Sequence, residues 1–224
     1  VPAGSAGGPA ATGDRLGWTV GLAYGQFNTD VILSHRETAP NTLEQQMVVA
    51  TLSRGIGGGW SLTGVGGVIL GGTLRELPDK AGPDAVTLAS PVSPGGLIGV
   101  SFDKTWVAET AFTPFVSTSL RVAASYIPSV GDSAFMAIDL RAAVTVGKTI
   151  GDVFTPYLSA RVFGGPILWF REDGTSMGTD IYHAQVAIGA SFHIPLGDAA
   201  TLTATVDWSP VLERSLSAGA AVSF

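Results

Sequence analysis

The last ten residues, Ser215 to Phe224, alternate with period two: Leu216, Ala218, Ala220, Val222 and Phe224 share one face, and Ser217, Gly219, Ala221 and Ser223 share the other. Successive side chains of a β-strand point to opposite sides, so this segment reads as a strand with one apolar face. Similar alternation recurs along most of the chain. Mean hydropathy is positive, +0.36, yet no run of 18 residues is free of Gly, charge or polar interruption, so the apolar content is not gathered into a spanning helix.

High hydropathy spread over alternating segments fits a barrel that crosses a membrane with strands of about 9 to 11 residues, half of whose side chains face lipid. The length of 224 residues with 30 Gly suits one large all-β domain, and the absence of Cys excludes a disulfide framework or a Cys zinc site. A net charge of -6 disfavours a nucleic-acid partner. Residues 1–13 read as a flexible, Gly/Ala/Pro-rich start of an already processed chain, and 14–224 as a single barrel domain.

Lysine placement favours a membrane barrel over a soluble one. Soluble sheet faces and edges commonly carry Lys and Glu, whereas here the lysines are Lys80, Lys104 and Lys148, each beside Asp or Gly in an expected connection. The less apolar strand faces carry mainly Gly, Ala, Ser and Thr, which suits a narrow lumen.

The alternation gives ten strands. The first shows Leu16, Trp18, Val20, Leu22 and Tyr24 outward; beyond Gly25 the apolar parity flips to Phe27, Val31 and Leu33, which predicts a bulge or turn. The second runs from about Leu43 to Arg54 with ambiguous facing. Further strands show Trp60, Leu62, Val68 and Leu70; Ile98, Val100 and Phe102; Leu120 to Tyr126; Met136 to Val146; Leu158 to Val162; Tyr182 to Phe192; and Leu202 to Trp208, before the terminal strand. Expected outer loops are Glu37 to Thr42, Leu77 to Pro94, Pro128 to Ser133, Arg171 to Gly178 and Ser209 to Arg214. An extra strand or short helix within Asp103 to Pro114 would change the count, so eight and twelve strands are the alternatives.

A strand that ends on an aromatic residue after apolar residues at every second position resembles the terminal strand of bacterial outer-membrane β-barrels. The resemblance implies an all-β, transmembrane, antiparallel up-and-down β-barrel, integral to the outer membrane and surrounded by its lipids. It implies that the last strand pairs with the first. It also implies that the barrel-assembly machinery reads Leu216, Ala218, Ala220, Val222 and Phe224 as an assembly signal. The strand order places Trp18, Trp60, Phe192 and Phe224 at the periplasmic interface and Tyr24, Tyr126, Tyr182 and Trp208 at the outer one, as two aromatic girdles.

On the lumen parity lie Arg121, Asp139, Arg141, Arg161, His183, Gln185 and Asp207. Charges inside a narrow barrel need partners, so a salt-bridged plug is the first reading; a constriction favouring anions is the second. Chemistry is thinly signalled. Outer-membrane barrel enzymes set His with Ser or Asp near the outer rim, and the matching residue types here are His35 with Ser34, Asp132 with Ser133, and Asp180 with His183; no catalytic motif matches. His193 is expected at the membrane interface. The Gly55 to Gly72 run lacks the following helix that a phosphate cradle needs, so it reads as turn and close packing. No cofactor or metal site is indicated. The expected role is a non-enzymatic structural or docking component of the envelope, meeting other envelope proteins through its outer loops, with a narrow channel or an outer-rim enzyme as alternatives.

Overall fold

The computed structural model describes residues 17–33, 41–76, 88–130, 133–171, 174–181 and 183–224. The expected flexible segment 1–13 lies outside them. The described residues form thirteen strands: β1 (Trp18–Leu33), β2 (Asn41–Gly57), β3 (Trp60–Glu76), β4 (Leu88–Val92), β5 (Gly95–Val107), β6 (Phe115–Val130), β7 (Ser133–Gly147), β8 (Phe154–Gly164), β9 (Ile167–Arg171), β10 (Gly174–Asp180), β11 (Ala184–Pro195), β12 (Thr201–Ser209) and β13 (Arg214–Ser223). All pairings are antiparallel. A closed ring runs β1, β2, β3, β5, β6, β7, β8, β11, β12, β13 and back to β1. The last strand pairs with the first from Thr19 against Ser223 to Asn28 against Arg214.

We call the end bearing Trp18 and the turns after β2, β5, β7 and β11 the lower end. Towards the opposite, upper end the wall changes its membership. There β9 replaces β8 beside β7, β10 replaces β13 beside β1, and β4 stands between β3 and β6. Ten strands surround the lower interior and eight the upper. Thirteen strands therefore stand where ten were expected. The stretch read as the outer loop Leu77 to Pro94 contains β4, and that read as Arg171 to Gly178 contains the end of β9 and most of β10, because short strands rich in Gly, Ser, Thr and Pro look like loops in sequence.

On β1 and β2 the polarity of the wall reverses along its length. In the lower section of β1, Val20, Leu22 and Tyr24 are exposed on the outside while Gly21 and Ala23 are buried inside. Higher on the same strand, Gln26, Asn28 and Asp30 occupy the outer face and Phe27 and Val31 the inner one. The strand is continuous through Gly25, and its pairings to β2 and β13 carry no register shift. The expected bulge is absent. What changes at Gly25 is the surroundings of each face, and the strand keeps its geometry. The same reversal explains the ambiguous facing of β2, where Leu43, Met47 and Val49 point into the barrel above while Leu52 and Ile56 point out below.

On β1 to β3 the upper outer face is tied by polar contacts. Thr42 Oγ1 donates to Asp30 at 2.7 Å, Asn28 Nδ2 to Glu44 at 3.4 Å, and Arg75 lies 3.8 Å from Glu44. Inside, Phe27, Met47, Ile69, Leu74, Ile127 and Trp169 belong to one buried apolar cluster. Phe135 meets Trp169 edge to face with ring centres 6.0 Å apart. Eight strands leave an interior that side chains alone can fill. On β1 and β2 the lower section thus shows the facing of a membrane barrel and the upper section largely the reverse, while Phe170 of β9 and Met177 of β10 keep apolar side chains exposed on the upper wall.

The real irregularity lies elsewhere. A β-bulge opposite Gln46 and Met47 skips Leu70, which restores apolar facing so that both Ile69 and Leu74 point inward. Asp103 to Pro114 holds no additional strand or helix: β5 extends to Val107 and a loop follows.

Candidate functional site

A layer of charged side chains lies between the two sections. Asp139 and Arg141 are two residues apart on β7 and so share its inner face. Register sets Arg121 of β6 opposite Arg141, Arg161 of β8 opposite Ala143, and Gln185 of β11 opposite Arg161. Arg161 makes a two-pronged ion pair with Asp207 of β12, at 3.0 and 2.6 Å. Arg141 reaches Glu213 at 3.3 Å and Asp139 at 3.5 Å, and its guanidinium lies 4.6 Å from the centre of the Phe163 ring. Gln185 joins the two groups: its carbonyl accepts from Arg141 at 3.3 Å and Arg161 at 3.4 Å, and its amide donates to the Glu213 carbonyl at 2.9 Å and Ser215 at 2.8 Å.

The two-pronged Arg161–Asp207 geometry is what buried charge requires, since removing one partner of such a pair costs about 3 to 5 kcal/mol. Gly189 is part of it. A Cβ there would fall 2.2 Å from the Tyr157 ring, so the missing side chain lets Tyr157 cross β11 and donate to Asp207 at 3.2 Å.

The structure thus brings together Asp139, Arg141, Arg161, Gln185 and Asp207, with Arg121 facing the same interior. It does not bring His183, which is exposed just before β11, where its carbonyl accepts from the Phe163 amide at 3.0 Å. His183 has the right parity but precedes the paired part of its strand. Glu213 was missed. It falls in the segment read as the outer loop Ser209 to Arg214, yet Leu212 takes a left-handed φ of 65° and Glu213 turns inward, buried at 1% exposure. Its odd number, shared with the inward Ser215 and Ser217, was the available signal.

Below this layer opens a cavity of about 1270 Å³ that runs down to the turns at the lower end. Hydroxyls dominate its wall, among them Thr51, Ser53, Thr63, Ser119, Thr145, Ser159 and Thr203. The lumen is therefore filled above and open below, where a salt-bridged plug alone was expected. At its mouth a hydrogen-bonded chain links two connections and three strands. Glu109 accepts from the Thr149 amide at 2.6 Å and its hydroxyl at 2.7 Å; Thr149 meets Thr155 at 2.9 Å; Thr155 meets His193 Nε2 at 2.9 Å; and His193 Nδ1 meets Thr203 at 3.1 Å. His193 faces this wall and not the lipid interface where it was expected. Burial alone pushes the Glu109 carboxyl up, but the Thr149 hydrogen bonds and the Lys148 charge outweigh it and hold the carboxyl below its ordinary range.

Trp18, Trp60, Phe192 and Phe224 are exposed on the outer wall at the lower end, and Tyr24, Tyr126 and Trp208 are exposed on it further up. Tyr182, Ser34, His35 and Asp132 lie outside the described residues. Ser133 stands at the start of β7, and no hydrogen bond among the described residues joins Asp180 to His183. Leu216, Ala218, Ala220 and Phe224 are exposed on the outer face of the terminal strand, with Val222 half-buried.

The architecture defined here is that of the bacterial outer-membrane β-barrels. Solved structures similar to the chain are of that class. The outer-membrane protease OmpT from Escherichia coli shares 6% identity over 95% of this chain and 96% of that one, with a TM-score of 0.54. The translocator domain of the autotransporter NalP from Neisseria meningitidis shares 8% identity over 94% and 89%, with a TM-score of 0.48. No family model and no curated protein matches the chain. At 6% identity the likeness to OmpT carries the fold and nothing of the activity.

Proposed function

We propose that this chain is a non-conducting, non-enzymatic anchor of the bacterial outer membrane that displays a packed, polar-surfaced rim for docking another envelope component. In this reading the lower end faces the periplasm. The observation that supports it is the buried apolar cluster of the eight-stranded section above the Arg141 and Arg161 ion pairs, because packed side chains and paired charges oppose a wetted path through the barrel. The polar outer face of upper β1 to β3 offers contacts without the apolar surface that would drive aggregation. The barrel-assembly machinery is the partner proposed for the terminal strand, with Phe224 as the residue it reads.

A second reading is favoured by the hydroxyl-lined cavity below: a narrow solute channel whose upper section opens. Planar-bilayer recording separates the two. The anchor gives no steady conductance; reproducible unitary currents that change in Arg141→Ala would establish the channel instead.

A further inference from the structure

Two cations on the lipid-facing wall of the lower section sit against three tryptophans. The Arg54 guanidinium of β2 lies 5.1 Å from the centre of the Trp18 ring on β1. The Lys104 ammonium of β5 lies 5.1 Å from the Trp60 ring of β3 and 5.5 Å from that of Trp106. Trp18 is directly paired with Arg54, and Trp60 with Lys104. The four strands are consecutive around the ring, so the patch is about 14 Å wide at the usual inter-strand spacing. Its parts are held in place: Lys104 donates to the Gly58 carbonyl, and Trp106 Nε1 donates to Thr118 at 2.9 Å.

Among the described residues the charge on this patch is one-sided. The lower-end acids Asp103, Glu109, Asp152 and Asp198 line the cavity, as does Lys148, which pairs with Glu109 at 3.5 Å. Arg54 and Lys104 are on the outer parity, level with the tryptophans and bordered above by the apolar band of Leu52, Leu62 and Phe102. Tryptophan rings collect at the headgroup level of a bilayer, and a cation stacked on one keeps its charge while shedding part of its water. A cation at that depth meets lipid phosphate, with acyl chains running along the apolar band.

We propose that Arg54 and Lys104, framed by Trp18, Trp60 and Trp106, form a binding site for the phosphate of an anionic glycerophospholipid at the lower membrane interface. A zwitterionic head brings its own ammonium to a patch that already holds two cations, so the site prefers a net negative head. Membrane position restricts the occupant to lipid.

The test is native mass spectrometry of the detergent-purified barrel titrated with phosphatidylglycerol or phosphatidylethanolamine. Phosphatidylglycerol adducts are expected to dominate, and Arg54→Gln and Lys104→Gln are each expected to lower that preference about fivefold, the scale of one basic side chain at an anionic surface. Arg75→Gln, on the upper wall, is expected to leave it unchanged. Equal retention of both lipids by the unaltered protein would overturn the site, as would an undiminished preference in Arg54→Gln/Lys104→Gln that keeps its β circular dichroism. Should that double variant fail to fold, the unaltered protein and the single variants decide.

Discussion

On β1 and β2 the upper and lower sections share strands but not facing. On β1, Trp18 to Tyr24 set Trp, Val, Leu and Tyr against lipid and keep Thr, Gly and Ala inside; a few residues on, Gln26, Asn28 and Asp30 face out and Phe27 and Val31 face in. Nothing in the backbone marks the change. Alternation encodes that a strand has two faces, and the medium beyond each face decides which one is apolar. The ion-pair layer sits at the change, where the interior passes from packed side chains to an open, hydroxyl-lined cavity.

Breaking that joint carries the largest expected effect. Asp207→Ala leaves the Arg161 guanidinium, 14% exposed, without its two-pronged partner, and is expected to cost about 3 to 5 kcal/mol in a urea titration of the refolded barrel in detergent. Replacing both residues by leucine is expected to recover most of the loss, since an apolar pair leaves no stranded charge. A loss under about 1 kcal/mol for the single variant would show that water reaches Arg161 freely, making the layer part of the open cavity and not the roof that closes it.

The two interiors themselves can be weighed next. Ile69 is fully buried in the upper cluster, so Ile69→Ala is expected to cost about 2 to 5 kcal/mol through lost transfer energy and the cavity left behind. Ser119 lines the lower cavity, and Ser119→Ala is expected to stay within about 0.5 kcal/mol because nothing packs on it. Similar costs at both positions would remove the distinction between a packed upper half and an open lower half.

How far the sequence discloses this depends on the section. In the lower wall the alternation is unopposed, so the facing of Leu120 to Tyr126 and of Ala184 to Phe192 is legible, whereas the pairing of last strand with first comes from the resemblance of the terminal strand. In the upper wall both parities of β2 carry apolar residues, and only knowledge of the second medium resolves them. Short rim strands such as β4 and β10 are rich in Gly, Ser, Thr and Pro, which is also loop chemistry. Among the charges, parity finds Arg141, Arg161, Gln185 and Asp207 because they lie within paired strands. It misplaces His183 and overlooks Glu213 because each stands where a strand gives way to a turn.

The smallest expected effect lies at the cavity mouth, where the loop after β5 is tied to the turn after β7 through Glu109 and Thr149. The Glu109 carboxyl is held below the ordinary value of 4.5. A carboxyl lowered in the folded state stabilises it above the unfolded pKa and loses that contribution as pH falls through the folded one. The tether is therefore whole at neutral pH and released only in acid, below the usual carboxylate range. Because the group borders water, Glu109→Gln is expected to cost no more than about 1 kcal/mol, so amide exchange is the sensitive probe. After correction for intrinsic rates, the Thr149 amide is expected to be protected at pH 7 and to lose protection at a pH below the usual carboxylate range. In Glu109→Gln, which keeps an acceptor but no charge, protection is expected to be weaker and flat across that range. A Thr149 amide equally protected at both pH values in the unaltered protein would mean that the strands position this mouth without the carboxylate, leaving the lower section rigid to its very edge.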